Sequence, residues 1–296
     1  MGKKKGSFID RHIKYIFTVP LVLFILAAIL FPILYTLVLS FHSWRMSTKI
    51  PWEFVGLSNF RELFSLDRFW FASLRTIVFT AVSMTFQVSL GIGLAFYLNR
   101  EFKGKNMVKT FFLLPMVTTP VAVGMVWTLI YEPTIGVANY LLKLMKISPL
   151  DWLGSTKIAL PSLMLIDIWQ WTPMVMLIVL AGLTTIPEEL VEAALVDGAN
   201  AFQRVRIIIF PLLWPSVFTA ALLRLIDSLK TFDIIYSTTQ GGPGYATETI
   251  NILAYRRAFE YFRMGEASTT LIVFFLIVLF ISGLAIYLKS RTEVYN

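Results

Sequence analysis

Four charged side chains stand in from the ends of stretches otherwise apolar enough to cross a membrane, within their interiors: Asp167 in one, and Arg224, Asp227 and Lys230 in another. A charge in such a place is costly and usually faces a bundle interior or a water-filled cavity. Gln87, Trp169, Gln170 and Trp171 add amides and indoles within the same kind of stretch. Arg224, Asp227 and Ser228 share one helical face, at spacings of three and four residues. Two chemistries fit this set. One is an ion pair between helices, joining Arg224 to Asp167 or Asp227, and it needs no ligand. The other is reversible recognition of hydroxyl groups by carboxylate, guanidinium and amide, with an indole against an apolar ring face. A buried arginine would equally suit an anionic solute.

Other chemistries are poorly provided for. There is no cysteine, which excludes disulfides, thiolate metal sites and cysteine nucleophiles. The two histidines, His12 and His42, have no second ligand at helical spacing, so no metal site is expected. No nucleophile motif or pair of catalytic acids is present, and no catalytic residue is assigned. Gly241-Gly242-Pro243-Gly244 lacks the Lys-Ser or Lys-Thr that would follow in a phosphate-binding loop, and reads as a turn. The net charge of +8 would suggest nucleic acid in a soluble protein. Here the basic residues gather at the ends of apolar stretches, where they set orientation instead.

The elements that must position these groups are helices in lipid. Of 296 residues, 57% are hydrophobic and only 15% charged, against about 25% charged in an ordinary soluble domain. Apolar stretches of about 20 residues, the length that crosses a hydrocarbon core of roughly 30 Å, account for the difference. Six such spans are expected, at 15–40, 73–99, 108–131, 160–182, 212–233 and 268–288, giving an all-α polytopic bundle. The first is too long for a signal-peptide core and has no small-residue cleavage site after it. Pro115, Pro120, Pro173 and Pro215 fall inside or near the ends of spans and are expected to kink them. Lysine and arginine are about twice as dense in 1–14, 100–107, 183–211 and 289–296 as in the alternate segments, which puts both termini in the cytoplasm. The expected organisation is a cytoplasmic segment 1–14, a membrane domain 15–290 and a cytoplasmic tail 291–296. Measured from the inner span ends, Asp167 and Asp227 lie at one height and Gln170 and Arg224 at another, roughly 22 and 18 Å deep.

The segment 183–211 is too well patterned for a connector. Pro187 suits the first helical position, with Glu188 and Glu189 in the first turn, where the helix dipole favours acids. Leu190, Val191, Ala194 and Leu195 form one apolar stripe. Gly198 follows Asp197 where a helix would end on a left-handed residue. A second short helix is expected from Ala199 to Arg206, making 186–206 a pair of short helices hinged at Gly198. Such a piece either lies amphipathically on headgroups or forms a knob for a soluble partner. In the second case small Ala193 and Ala194 permit close approach, and Glu192, Arg204 and Arg206 make polar contacts at the rim.

Glu192-Ala193-Ala194, three residues, Gly198, nine residues, Ile208, one residue, Phe210-Pro211 resembles the signature of binding-protein-dependent ABC importer permeases. Phe210 replaces the usual leucine. Ile186-Pro187-Glu188-Glu189-Leu190 and Asp197-Gly198-Ala199 are also similar to that family. Val55-Gly56-Leu57-Ser58-Asn59-Phe60 and Thr239-Gln240-Gly241-Gly242-Pro243 resemble its carbohydrate-uptake branch, near the maltose and glycerol-phosphate permeases. The resemblance covers about 15–290. It implies a type I importer permease fold in a bacterial inner membrane and alternating access. It also implies a heterodimer with a second permease subunit, an ATPase dimer on the cytoplasmic side that holds ATP and Mg, and an extracytoplasmic solute-binding protein. No cofactor is expected in this chain. Glu192, Ala193, Ala194, Asp197, Gly198 and Arg204 would couple to the ATPase. The solute, a sugar or oligosaccharide or else an anionic uronate oligosaccharide or glycerol phosphate, would meet Asp167, Gln170, Trp171, Met174, Arg224, Asp227 and Ser228. The residues alone leave open an ion-gradient-driven secondary transporter, with Asp167 and Asp227 carrying protons, although the patterned 183–211 segment would then have no purpose.

Overall fold

The computed structural model describes residues 8–46 and 51–293, with backbone alone for 8–14, 16 and 291–293. Lys3-Lys4-Lys5 and the end of the expected tail lie outside the described residues. In chain order the elements are α1 (Phe8–Ser40), β1 (His42–Ser43), β2 (Glu53–Phe54), α2 (Ser58–Ser65), α3 (Asp67–Leu98), α4 (Lys105–Val117), α5 (Pro120–Ile130) and α6 (Val137–Leu144). There follow α7 (Ala159–Thr184), α8 (Glu188–Val196), α9 (Ala201–Arg204), α10 (Phe210–Leu229), α11 (Asp233–Thr238), α12 (Ile250–Tyr255) and α13 (Met264–Glu293). Single π turns at Val205–Ile209 and Arg256–Glu260 lead into α10 and out of α12.

Among the described residues, five helices are long and apolar enough to cross a membrane: Phe17–Ser40, Asp67–Leu98, Ala159–Thr184, Ala201–Leu229 and Met264–Ser290. The sixth expected span, 108–131, is broken into α4 and α5, which meet at 99°. Its physical cause is local. Pro120 drives the preceding Thr119 out of the helical region, to φ −62° and ψ 139°, and Thr118 is extended too. Pro120 then starts the new helix, where its missing N–H costs nothing. A kink was expected there; the chain turns a corner instead.

Two compact units divide the chain: residues up to Leu66 with Ala254–Val273, and Asp67–Leu253 with the segment from Phe274 onward. In the first, β1 and β2 pair antiparallel, His42 opposite Phe54. The buried Asn59 amide donates to the carbonyls of Ser40 and His42, at 2.9 and 3.1 Å, and Thr269 Oγ1 donates to Ser40 O at 3.0 Å. These bonds anchor the C-terminal end of α1. From Phe17 to Ser40 that helix buries none of its most apolar stretch, so lipid or another chain must be its solvent.

The second unit is built on α3, α7 and α10. Ala95, Leu98, Val175, Met176, Val179, Leu180, Leu183, Leu213, Val217 and Ala220 form one core. Lipid removes the hydrophobic drive for helices to associate, so close packing across small residues holds them. A Cβ on Gly91 would stand 2.6 Å from Val175 Cγ1, and one on Gly182 would collide with Ser216. Phe79, Val123, Tyr131, Leu163, Ile166, Ile234 and Ile252 make a second core toward the other end. Leu98 and Leu183 share the first core, so the C-terminal ends of α3 and α7 lie together, and α8 follows at that end.

Candidate functional site

The charged groups that sequence singled out meet where α3, α7 and α10 cross. Asp167 on α7 and Arg224 on α10 are 0% and 1% exposed. Arg224 Nη2 donates to Asp167 Oδ2 at 3.3 Å, and Arg224 Nε to Gln87 Oε1 at 2.9 Å. Gln87 Nε2 closes the ring, donating to Asp167 Oδ2 at 2.7 Å and to the Asp167 carbonyl at 3.0 Å. The three spans are thus joined by one charge pair and one amide whose two ends serve both charges. Arg224 Cζ also stands 5.0 Å from the centroid of the Trp171 ring. Such a node satisfies most of its own polar atoms, which a low-dielectric interior demands. Asp167 Oδ1 remains buried without a hydrogen-bond partner.

Next to the node lies a cavity of about 330 Å³, lined by Pro120, Asp167, Trp171, Arg224, Asp227, Lys230, Thr231, Phe232, Asp233 and Ile234. Four predicted contacts therefore come together on it: Asp167, Trp171, Arg224 and Asp227. Asp227 is not deep in its span, as counting from residue 212 implied. α10 ends at Leu229, so Asp227 stands near the helix end, half exposed, with its carboxylate 3.5 Å from Lys230 Nζ. The counted depth failed because the continuous helix starts at Ala201, about three turns before 212, and stops at Leu229, before 233. Arg224 and Asp167 lie about 8 and 12 Å from the α10 and α7 ends remote from α8.

The other three predicted contacts do not line this cavity. Gln170 is buried and donates its amide to Thr118 O at 3.1 Å, satisfying a carbonyl freed by the break between α4 and α5. Ser228 is buried with an unpartnered hydroxyl, and Met174 is half-buried on α7. Gln87 was noticed in the sequence only as a polar residue. Nothing in α3 alone fixes its height, and the signal that could have raised it is its being an amide amid an apolar span. Among the described residues, no group of three or more His, Asp or Glu side chains could hold a metal ion.

The loop between α7 and α10 is organised by its backbone. Pro187 is the N-cap of α8 rather than its first residue, and Glu188 and Glu189 occupy the first turn. Gly198 takes φ +83°. The Ala199 N–H donates to Ala194 O at 2.9 Å and the Gly198 N–H to Leu195 O at 3.1 Å, the paired bonds of a glycine-terminated helix. Asn200 and Gln203 then cap each other reciprocally, at 2.9 and 2.8 Å. The expected second short helix is not separate: α9 runs through the π turn into α10 as one rod from Ala201 to Leu229. Pro211 has no N–H for the Ile207 carbonyl, and the wider turn, with Phe210 N–H on Val205 O, absorbs the defect. Arg204 Nη1 donates to Ala199 O at 3.0 Å, bracing the glycine turn. Glu192, Ala193 and Asp197 are exposed, Ala194 is buried, and Leu190, Leu195, Val196 and Phe202 are large apolar groups left exposed.

This arrangement has close relatives. Residues 87–292 match the family of binding-protein-dependent transport system inner membrane components. The trehalose/maltose transport system permease protein MalF of Thermococcus litoralis is 37% identical over 289 residues, covering 96% of this chain and 95% of its own. The trehalose transport system permease protein SugA of Mycobacterium tuberculosis is 33% identical over 270 residues, covering 90% and 85%. In fold, the chain is similar to a solved chain from a bacterial ABC transporter involved in import of the acidic polysaccharide alginate. That likeness has a TM-score of 0.83 at 24% identity, over 96% of this chain and 97% of the other. The chain belongs to the binding-protein-dependent transport system inner membrane components, with the type I ABC importer permease fold.

Proposed function

We propose that this permease passes a neutral sugar or short oligosaccharide across the membrane by alternating access. A solute-binding protein delivers it on one side, and an ATPase dimer holding ATP and Mg drives the cycle on the other. The observation that carries the reading is the cavity bounded by Asp167, Trp171, Arg224 and Asp227. Asp167 and Trp171 stand on α7 and Arg224 and Asp227 on α10, the two helices that the α8 loop joins, so movement of that loop would move these four against the rest of the lining, Pro120 and residues 230–234. A second permease subunit would complete the path and cover the apolar surfaces this chain exposes. The charge pattern supports cytoplasmic termini and, with them, an α8 loop on the ATPase side. Exposed Leu190, Leu195 and Val196 would seat in the ATPase, with Glu192, Asp197 and Arg204 at the rim.

A neutral solute is favoured over an anionic one. The cavity lining carries three carboxylates, Asp167, Asp227 and Asp233, against Arg224 and Lys230. The Arg224 guanidinium is already engaged by Asp167 and Gln87. A carboxylate or sulfonate would enter against that balance, whereas sugar hydroxyls can donate to the aspartates and an apolar ring face can lie on Trp171. Relatives named for trehalose and maltose transport agree with this choice.

Asp227→Asn tests the assignment, because Asp227 is half exposed and outside the buried node. The complete complex, reconstituted with its binding protein, is assayed for ATP hydrolysis stimulated by maltose or trehalose. The half-maximal concentration of loaded binding protein should rise about tenfold, the loss of one charge-assisted hydrogen bond. Unchanged stimulation in an assembled complex would remove Asp227 from the solute path.

A further inference from the structure

At the opposite end of α3 from the α8 loop, Arg75 has no hydrogen-bond or ion-pair partner among the described residues; its Cζ stands 5.7 Å from the centroid of the Phe71 ring. Arg75 is half-buried, its Nη1 is fully buried, and its guanidinium makes no hydrogen bond. The acid nearest in effect is Glu248, itself fully buried, and both of its oxygens are taken by Arg68. Arg68 Nε donates to Glu248 Oε2 and Arg68 Nη2 to Oε1, each at 2.6 Å, and Arg68 Cζ stands 3.9 Å from the Tyr245 ring centroid. Two cations thus face one carboxylate, and the bidentate pair leaves Arg75 as the uncompensated charge. The hydroxyl of Thr249, next to Glu248 in the chain, is buried and unpartnered as well.

The position of Arg75 says what could compensate it. α3 has 32 residues, about 48 Å, against a hydrocarbon core of roughly 30 Å. Centred in the bilayer it would overhang by about 9 Å at each end, and Arg75 lies about 12 Å from Asp67. With α3 so centred, the Cα of Arg75 would stand about 3 Å inside the hydrocarbon boundary, and its long side chain would be within snorkelling reach of headgroups. Around it Trp70, Phe71, Leu74, Ile77 and Val78 are exposed, an apolar surface whose aromatic groups suit an interfacial height. We propose that Arg75, beside the Arg68–Glu248 pair, is the seat of a phospholipid phosphodiester. One negative charge neutralises the excess, and acyl chains lie along the apolar face of α3. A carboxylate from another protein fits less well, because it would have to enter below the boundary between apolar side chains.

The test uses the purified complex in nanodiscs of phosphatidylcholine containing a minority of phosphatidylglycerol. Lipids that stay bound after release from the disc are counted by native mass spectrometry. The native protein should retain phosphatidylglycerol, Arg75→Gln should retain it on the order of fivefold less, and Arg75→Lys, which keeps the charge, should restore most of it. Equal retention in all three would overturn the proposal. So would a Gln variant that keeps its lipid but loses a protein subunit, which would make Arg75 a protein contact. Should the Gln variant fail to assemble, the native complex decides alone. Short-chain phosphatidylglycerol should raise its Tm more than short-chain phosphatidylcholine, and no difference would count against the site.

Discussion

The Gln87–Asp167–Arg224 node and the α8 loop solve the same problem in opposite ways. Each must keep polar groups satisfied while holding a fixed shape. In the node, buried side chains from three helices satisfy most of one another's polar atoms at the edge of the cavity. In the loop, the backbone satisfies itself through a left-handed glycine and a reciprocal cap, and the side chains are left outward. The node gains rigidity from partners distant in sequence, so removing one member strands another. The loop gains it from neighbours in sequence, so its parts fail singly and cheaply. A surface that docks against another chain benefits from the second design, since its side chains remain available. A junction of spans beside a cavity benefits from the first.

The largest expected effect breaks the node. Arg224→Leu leaves the Asp167 carboxylate buried with only the Gln87 amide to hold it, and such a loss costs about 3–5 kcal/mol. The yield of assembled complex should collapse or its Tm fall sharply. Replacing both charges, as Arg224→Leu with Asp167→Leu, should recover much of that stability, because no charge is then stranded. If the double variant were no more stable than the single one, the pair would not be acting as a closed unit.

Most of the loop was legible because its determinants are local. Pro187, Glu188 and Gly198 announce a start, a favourable first turn and a stop within a dozen residues. The ion pair was legible only as a choice between partners, because Asp167 and Asp227 look alike by composition. What decides between them is where α10 ends, and hydropathy does not mark that end. The break between α4 and α5 was half visible. Pro115 and Pro120 mark a disturbance, yet apolarity runs on through Thr118 and Thr119 and carries no information about direction. Gln170 illustrates the remaining gap: the same amide on the same helix could face solute or a freed carbonyl, and only the corner at Thr118 assigns it.

In the loop, Gly198→Ala should act through conformation alone, since a Cβ there would meet nothing within 4 Å. Holding alanine left-handed costs about 1–2 kcal/mol, enough to shift α8 or fray it. Asparagine tolerates that region better. Uptake driven by ATP should therefore rank glycine, then asparagine, then alanine, with assembly preserved in all three. A ranking with asparagine below alanine would mean that side-chain bulk at the proposed docking surface, rather than backbone strain, limits coupling.

The smallest effect separates the two designs most directly. Asn200→Ala removes the side-chain oxygen that accepts from the Gln203 N–H and leaves only the return bond, from the backbone N–H of residue 200 to Gln203 Oε1, at a cost of about 1 kcal/mol. The loss should stay within the first turn of α9, because the Gly198 and Ala199 bonds that end α8 do not depend on Asn200. Hydrogen exchange should quicken at residues 202 and 203 while amides of α8 and of α10 beyond Pro211 keep their protection. Solute dependence of ATP hydrolysis should be unchanged, since the cavity walls lie beyond that point on a continuous rod. If exchange instead quickened around Arg224, the strain would be travelling along α9 and α10, and the loop and the node would be one cooperative device rather than two.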